Sequence, residues 1–430
     1  MIEDSREAAV IGQIRWRILP LLFAGYFTAY IDRVNVGFAA LTMNQALGLS
    51  AEQYGLGGGL FFAGYVAFGV PSNLVLARLG ARLWLPIIMV AWALASLLNA
   101  WATGPHSFYA IRLVLGVAEA GLYPGLLYVL TEWLPGRYRV RMITLLVLST
   151  PFSIMLGSLI SQPILRMDGI GGLAGWQWLF VLQALPTIAL ALIFYLAMPH
   201  SPATAPWLTA ENRQWLVEQL ARERTRREQV GRFSVGEALT NSTVWLIAIA
   251  GVGINFAAYG LILFLPQMIH ALGVSTALTP LVNAVPFAVC AVVMVLWSNH
   301  SDKSLERTWH AAIPAALSGL ALIACPFLQN PVLALAALTL GITGIFCYVS
   351  IFWAVPSAML TGAAAAAGLA LINAIANLGS FAGPYALGWV KDVTGSFSMG
   401  IVALGLGPLA AAAIVVSLRA ATRYEKAGIT

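Results

Sequence analysis

Twelve stretches of about 20 predominantly apolar residues run through this chain with only short polar gaps between them, and about 20 such residues are what a helix needs to cross a bilayer. They lie near 16–40, 53–77, 84–103, 107–133, 141–164 and 176–198, then near 243–269, 279–298, 310–328, 333–360, 366–390 and 397–418. Of 430 residues 60% are hydrophobic and 9% charged, whereas a soluble domain carries about 25% charged residues. A soluble enzyme, a disordered chain and a nucleic-acid binder are thereby excluded. The pattern predicts an all-α membrane protein with twelve transmembrane helices in two pseudo-symmetric six-helix bundles.

The net charge of +6 marks topology. Nineteen of the 23 basic residues fall in segments on one side of the predicted spans, with Arg166 and Lys391 on the other. The positive-inside rule then puts both termini in the cytoplasm. The longest polar stretch divides the chain into an N-terminal bundle (1–198), a cytoplasmic linker (199–240) and a C-terminal bundle (241–430). Within the linker Thr209 is placed to cap a helix, and Trp215, Leu216 and Leu220 share one face beside a charge-rich run, which predicts an amphipathic helix near the inner leaflet. An internal echo supports duplication: Arg78 and Arg82 follow the second span as Lys303 and Arg307 follow the eighth. Paired halves of this kind are what alternating-access transporters are built from.

Four ionisable residues fall inside predicted spans: Asp32 and Arg33 in the first, Arg112 and Glu119 in the fourth. Each costs about 2.5 kcal/mol or more at the bilayer centre, so such groups normally face a cavity and pair with one another. Arg112 and Glu119 are seven residues apart and share a helix face, with backbones about 10 Å apart, whereas Asp32 and Arg33 diverge by about 100°. Asp32 with Arg112, or Arg33 with Glu119, is a feasible crossed pairing that spacing does not decide. The four charges sum to zero, so admitting an anion leaves the cavity negative unless a carboxylate takes up a proton and frees an arginine. Substrate and proton binding are linked on that count. Structural ion pairs between the two helices are the competing explanation.

Other chemistry has little footing. Cys290, Cys325 and Cys347 lie in or beside apolar runs with no Cys-x-x-Cys spacing and are expected to pack in the interior. The five histidines join no metal-spaced group, no nucleophile stands beside a base, and no Gly-x-x-x-x-Gly-Lys-Ser/Thr loop offers a nucleotide site. No metal, no cofactor and no enzymatic activity are expected, and an ion gradient is the expected energy source. On polar pattern alone, Asn255 and Tyr259 share a face of the seventh span, as Asn373 and Asn377 do of the eleventh, and Trp353 and Ser357 share one near Pro356. These are cavity candidates, with helix clamping or core packing as the alternatives. Gly55 with Gly59, and Gly121 with Gly125, make small faces for close helix contact.

The run Tyr30-Ile-Asp32-Arg33-Val-Asn35-Val-Gly37 resembles the anion:cation symporter family of the major facilitator superfamily, as do Val70-Pro71-Ser72-Asn73, the segment Arg112 to Gly125, Tyr259 to Gln267 and Asn373 to Pro384. The resemblance spans nearly the whole chain. It implies a proton-coupled symporter importing a small organic anion, such as tartrate, a sugar acid or an aromatic acid, across a bacterial inner membrane as a monomer. Asp32 and Glu119 match the family's protonation sites, Arg33 and Arg112 its anion-binding arginines, and Tyr30 and Tyr65 its substrate contacts. The segment Tyr54 to Phe62 and the Gly80-Ala81-Arg82-Leu-Trp84 turn are closest to the tartrate and phthalate branch. Arg78, Arg82, Asp302 and Lys303 fall in the gating turns, yet Asn73 and Ala77 stand where the superfamily turn usually carries glycine and aspartate. Protons and membrane lipids are the other expected partners. An exporter or antiporter of the same fold, or a membrane sensor, are the rival expectations.

Overall fold

Inside hydrocarbon no water satisfies backbone N–H and C=O groups, so an apolar run long enough to span closes its hydrogen bonds within itself as a helix. A computed structural model describes residues 2–229, 242–304, 306–352 and 362–418, and every regular element among them is helical. An N-terminal helix α1 (Ile2–Arg17) precedes α2 (Leu19–Leu47), α3 (Ala51–Leu79), α4 (Ala81–Leu98), α5 (Pro105–Glu119), α6 (Leu122–Trp133), α7 (Gly136–Leu165) and α8 (Gly175–Ala197). Helix α9 (Ala210–Gln229) lies in the linker, followed by α10 (Ser242–Ala271), α11 (Thr279–Ser304), α12 (Thr308–Ala324), α13 (Pro331–Phe352), α14 (Gly362–Thr394) and α15 (Ser398–Ser417). Among the described residues ten helical stretches are long and apolar enough to cross a membrane by length and composition. Two further long helices complete twelve: α2, whose apolar run Asp32, Arg33 and Asn35 interrupt, and the 33-residue α14.

Two boundaries and one docking site differ from expectation. The predicted fourth span is two helices, broken between Glu119 and Leu122. Pro124 has no N–H to give the Ala120 carbonyl, and its ring would strike that carbonyl in a continuous helix. Helix α1 is a separate element ending at Arg17, three residues before Pro20, where the sequence suggested no structure. Helix α9 docks on protein: Leu216 is fully buried, packed in one apolar cluster with Ile14, Trp133 and Leu134. The Thr209 cap holds, its hydroxyl accepting from the Asn212 N–H at 3.3 Å.

The first six spans pack mainly among themselves, as do the last six, and the two sets meet chiefly where α3 packs on α14, α7 on α11, and α2 on α10. Both described chain ends and the turns carrying Arg82 and Arg307 lie on one face, called the basic face below; the α2–α3 and α14–α15 turns lie on the opposite face. Gly55 and Gly59 abut the backbones of Pro384 and Phe381 on α14, while Gly121 and Gly125 abut side chains of Ser72, Ile88 and Leu85. Gly116 is less forgiving than Gly121, because a Cβ there would overlap the backbone carbonyl of Phe61 on α3 rather than a side chain that can turn aside. Gly116→Val is therefore expected to lower the unfolding temperature sharply in detergent, overpacking costing about 1–3 kcal/mol or more. A melting curve unchanged from the parent would show that α3 and α5 can separate freely.

Candidate functional site

Between the halves, where α2, α3 and α7 face α10, α13 and α14, lies a cavity of about 140 Å³. Among the described residues Arg33 is the cation on its wall, which Tyr26, Tyr30, Tyr65 and Tyr123 from the first half and Tyr259 from the second also line. The guanidinium sits 4.8 Å above the Tyr30 ring and 5.7 Å from Tyr65, and its Nη1 donates to Tyr259 Oη at 3.2 Å. Stacking on aromatic faces steers the planar group without consuming its donors. Across the cavity Asn255, Asn373 and Asn377 present amides, Thr150 a hydroxyl, and Phe62, Ile262, Ile345 and Phe346 apolar surface.

Spacing left two pairings open, and the structure contains one of them. Arg33 Nη2 is ion-paired with Glu119, which reaches it from α5 and is itself 1% exposed. Asp32, one residue earlier, points the other way, as the 100° divergence requires. Its carboxylate lies inside the first half among neutral donors: Trp92 Nε1 at 2.8 Å, Thr187 Oγ1 at 3.4 Å, and Ser96 Oγ and Asn35 Nδ2 at 3.5 Å. Among the described residues it has no ion-pair partner.

Arg112 departs furthest from expectation. Rather than facing the cavity, it is 1% exposed against α3, 5.2 Å from the Phe61 ring, with Nε and Nη1 unpartnered. Phe61 also lies 5.2 Å from the Arg33 guanidinium, so one ring is shared by two cations. The face bearing Arg112 and Glu119 also bears Gly116, and the close approach of Gly116 to Phe61 turns that whole face onto α3.

Tyr30, Arg33, Tyr65, Asn255, Tyr259, Asn373 and Asn377 thus line one cavity, while Asp32, Arg112 and Glu119 stand behind its first-half wall. Trp353 and Ser357 lie outside the described residues. Sequence reading missed Tyr26, Tyr123 and Thr150. Tyr26 was within reach, one turn before Tyr30 on the same face, with ring centroids 4.9 Å apart. Tyr123 joins them at 5.4 Å from Tyr26 because the break before Pro124 re-aims the start of α6.

The turn residues lie apart on the basic face. Arg82 Nε donates to the Tyr195 carbonyl at 3.2 Å, and Arg307 holds Asp302 at 2.6 Å, while Arg78 and Lys303 are exposed. Glu306 beside them accepts from the Trp309 and His310 N–H groups and from the His310 ring. Burial pushes its carboxyl up, but these donors together hold it below the usual carboxylate range.

Residues 22–384 match the Major Facilitator Superfamily. A protein of Agrobacterium vitis named as a candidate tartrate transporter is 42% identical over 93% of this chain and 89% of its own length. A quinolone resistance transporter of Acinetobacter baumannii is 38% identical over 93% of this chain and 92% of its own. Among solved structures, the inward open xylose transporter XylE of Escherichia coli superimposes with a TM-score of 0.78 at 15% identity, covering 93% of this chain and 95% of that one.

Proposed function

Since the chain belongs to the major facilitator superfamily and is a multi-pass membrane transporter, we propose that it imports a small hydroxylated carboxylate with protons, by alternating access, across a bacterial inner membrane. Both termini are cytoplasmic in this reading, the basic face is the inner one, and the proton gradient is the energy source with no cofactor. The observation that carries it is the ion pair of Arg33 with Glu119 behind the cavity wall. While Glu119 is ionised it neutralises the wall's cation; once protonated it releases a guanidinium whose fork fits a carboxylate. Asp32, buried among neutral donors, is the second proton acceptor, as the family resemblance implies. Arg78, Arg82, Asp302 and Lys303 belong to the turns that move as the inner side opens and closes.

The second half supplies the reason for hydroxyls. Asn255 Nδ2 is held by the Ala376 carbonyl at 3.1 Å, which leaves its oxygen as an acceptor, and Asn377 Nδ2 donates both to the Asn373 backbone carbonyl at 2.8 Å and to Asn373 Oδ1 at 3.4 Å, leaving the Asn373 amide N–H groups as donors. An alcohol both gives and takes a hydrogen bond, so adjacent donor and acceptor amides suit it. The Agrobacterium relative's name is in keeping with such a substrate.

Uptake of labelled tartrate into proteoliposomes under an inward proton gradient tests the whole reading. Accumulation that collapses with a protonophore supports it, and gradient-independent equilibration overturns the coupling. In the same assay Asn373→Ala is expected to reduce the preference for tartrate over succinate roughly tenfold, the size of one hydrogen bond of about 1.4 kcal/mol. The quinolone resistance relative favours one second reading, proton-driven export of an aromatic acid past the tyrosine wall. It predicts substrate loss from loaded vesicles with an inward proton gradient.

A further inference from the structure

Polar contacts across the halves concentrate at the face opposite the chain ends. Asp392, in the last turn of α14, lays its carboxylate on the first turn of α3: Oδ1 accepts from the Ala51 N–H at 3.0 Å and Oδ2 from the Glu52 N–H at 2.7 Å. Tyr385 Oη donates to Glu52 at 3.1 Å, and Tyr54 Oη to the Leu263 carbonyl at 3.0 Å. The first N–H groups of a helix lack partners within it and form the positive end of its dipole. Ser50 already accepts from the Gln53 N–H. Asp392 therefore satisfies the two N–H groups that Ser50 leaves.

The position is otherwise unfavourable. A carboxylate in the last turn of α14 faces the negative end of its own helix, and the contact with α3 is what offsets this. The backbones beneath are close, Gly388 against the Ala51 carbonyl and Gly55 against Pro384, so the clasp closes on a fitted seam. The other end of α3 is built differently. It ends Ala77-Arg78-Leu79, with no carboxylate in its last turn to make the corresponding contact.

We propose that Asp392 is the clasp of an outer gate: it fastens α14 to the N-terminus of α3, makes closure on that face the resting arrangement, and must release Ala51 and Glu52 whenever the cavity opens there. The clasp requires neither the substrate nor the coupling ion proposed above.

Spin labels at Ala46→Cys and Ser396→Cys, both on exposed positions of that face, read the gate directly in the full chain in lipid nanodiscs. The native Cys290, Cys325 and Cys347 are buried. The parent is expected to give one short distance. Adding Asp392→Ala should lower the ratio of short to long distances roughly three- to thirtyfold, as loss of a helix cap does. Asp392→Asn keeps one carbonyl oxygen for one N–H and should fall between them. A long distance in the parent overturns the proposal, as does an Asp392→Ala distribution superimposed on the parent's. If the alanine variant fails to fold, the asparagine variant decides on the same two criteria.

Discussion

Asp32→Asn and Glu119→Gln, reconstituted separately, are each expected to lose concentrative uptake under an imposed proton gradient while retaining exchange of internal for external substrate. The reason differs between the two. Glu119→Gln keeps the shape of the side chain but cannot neutralise Arg33, so the guanidinium is always available to a carboxylate. Substrate affinity in that variant should then be high and nearly independent of pH, where the parent's falls as pH rises and Glu119 ionises. Asp32→Asn leaves the Arg33–Glu119 pair intact and should keep the pH dependence of binding, losing instead the second site of proton uptake. Coupling free energies of about 1–3 kcal/mol correspond to losses of about 5- to 150-fold in the accumulation ratio. Isothermal titration against pH, beside vesicle uptake, separates the two roles. If both variants still concentrate substrate, the carboxylates are structural and the protons bind elsewhere.

The helical spans and the gathering of Lys and Arg at one end of them were legible because hydrophobicity and the placement of basic residues are one-dimensional signals. So was the separation of Asp32 from Arg33, since consecutive residues on a helix cannot face one partner. The choice of Glu119 for Arg33 was not legible, because it depends on how α2 and α5 are rotated about their axes. That rotation had a trace in the sequence all the same. Gly116 stands between Arg112 and Glu119 on one face, and a glycine there signals another backbone pressed close. Read together, the three residues point at a neighbouring helix rather than at a cavity. The tyrosine cluster was only half legible: Tyr30 and Tyr65 are set by regular helices, whereas Tyr123 depends on the break before Pro124.

Arg112→Met is expected to make the protein more stable and to abolish transport. Two of its guanidinium nitrogens are buried without partners, and a buried charge without compensation costs several kcal/mol. Methionine is of similar length, and its sulfur packs well against an aromatic ring such as Phe61. Removing the charge should therefore raise stability, on the order of 1–4 kcal/mol by analogy with buried ionic groups replaced by apolar ones. A residue retained at such a cost has to act in some other arrangement of the chain. Glu119 is the partner available to it, two turns along the same helix face. If Glu119, when it ionises again, passes from Arg33 to Arg112 during the cycle, Arg112→Met leaves the ionised carboxylate no partner but Arg33, so each deprotonation displaces the anion before the cycle is complete. Thermal unfolding and vesicle uptake of the same preparation decide the matter. A variant that is both destabilised and active would show that the guanidinium is a structural element of the α3–α5 contact.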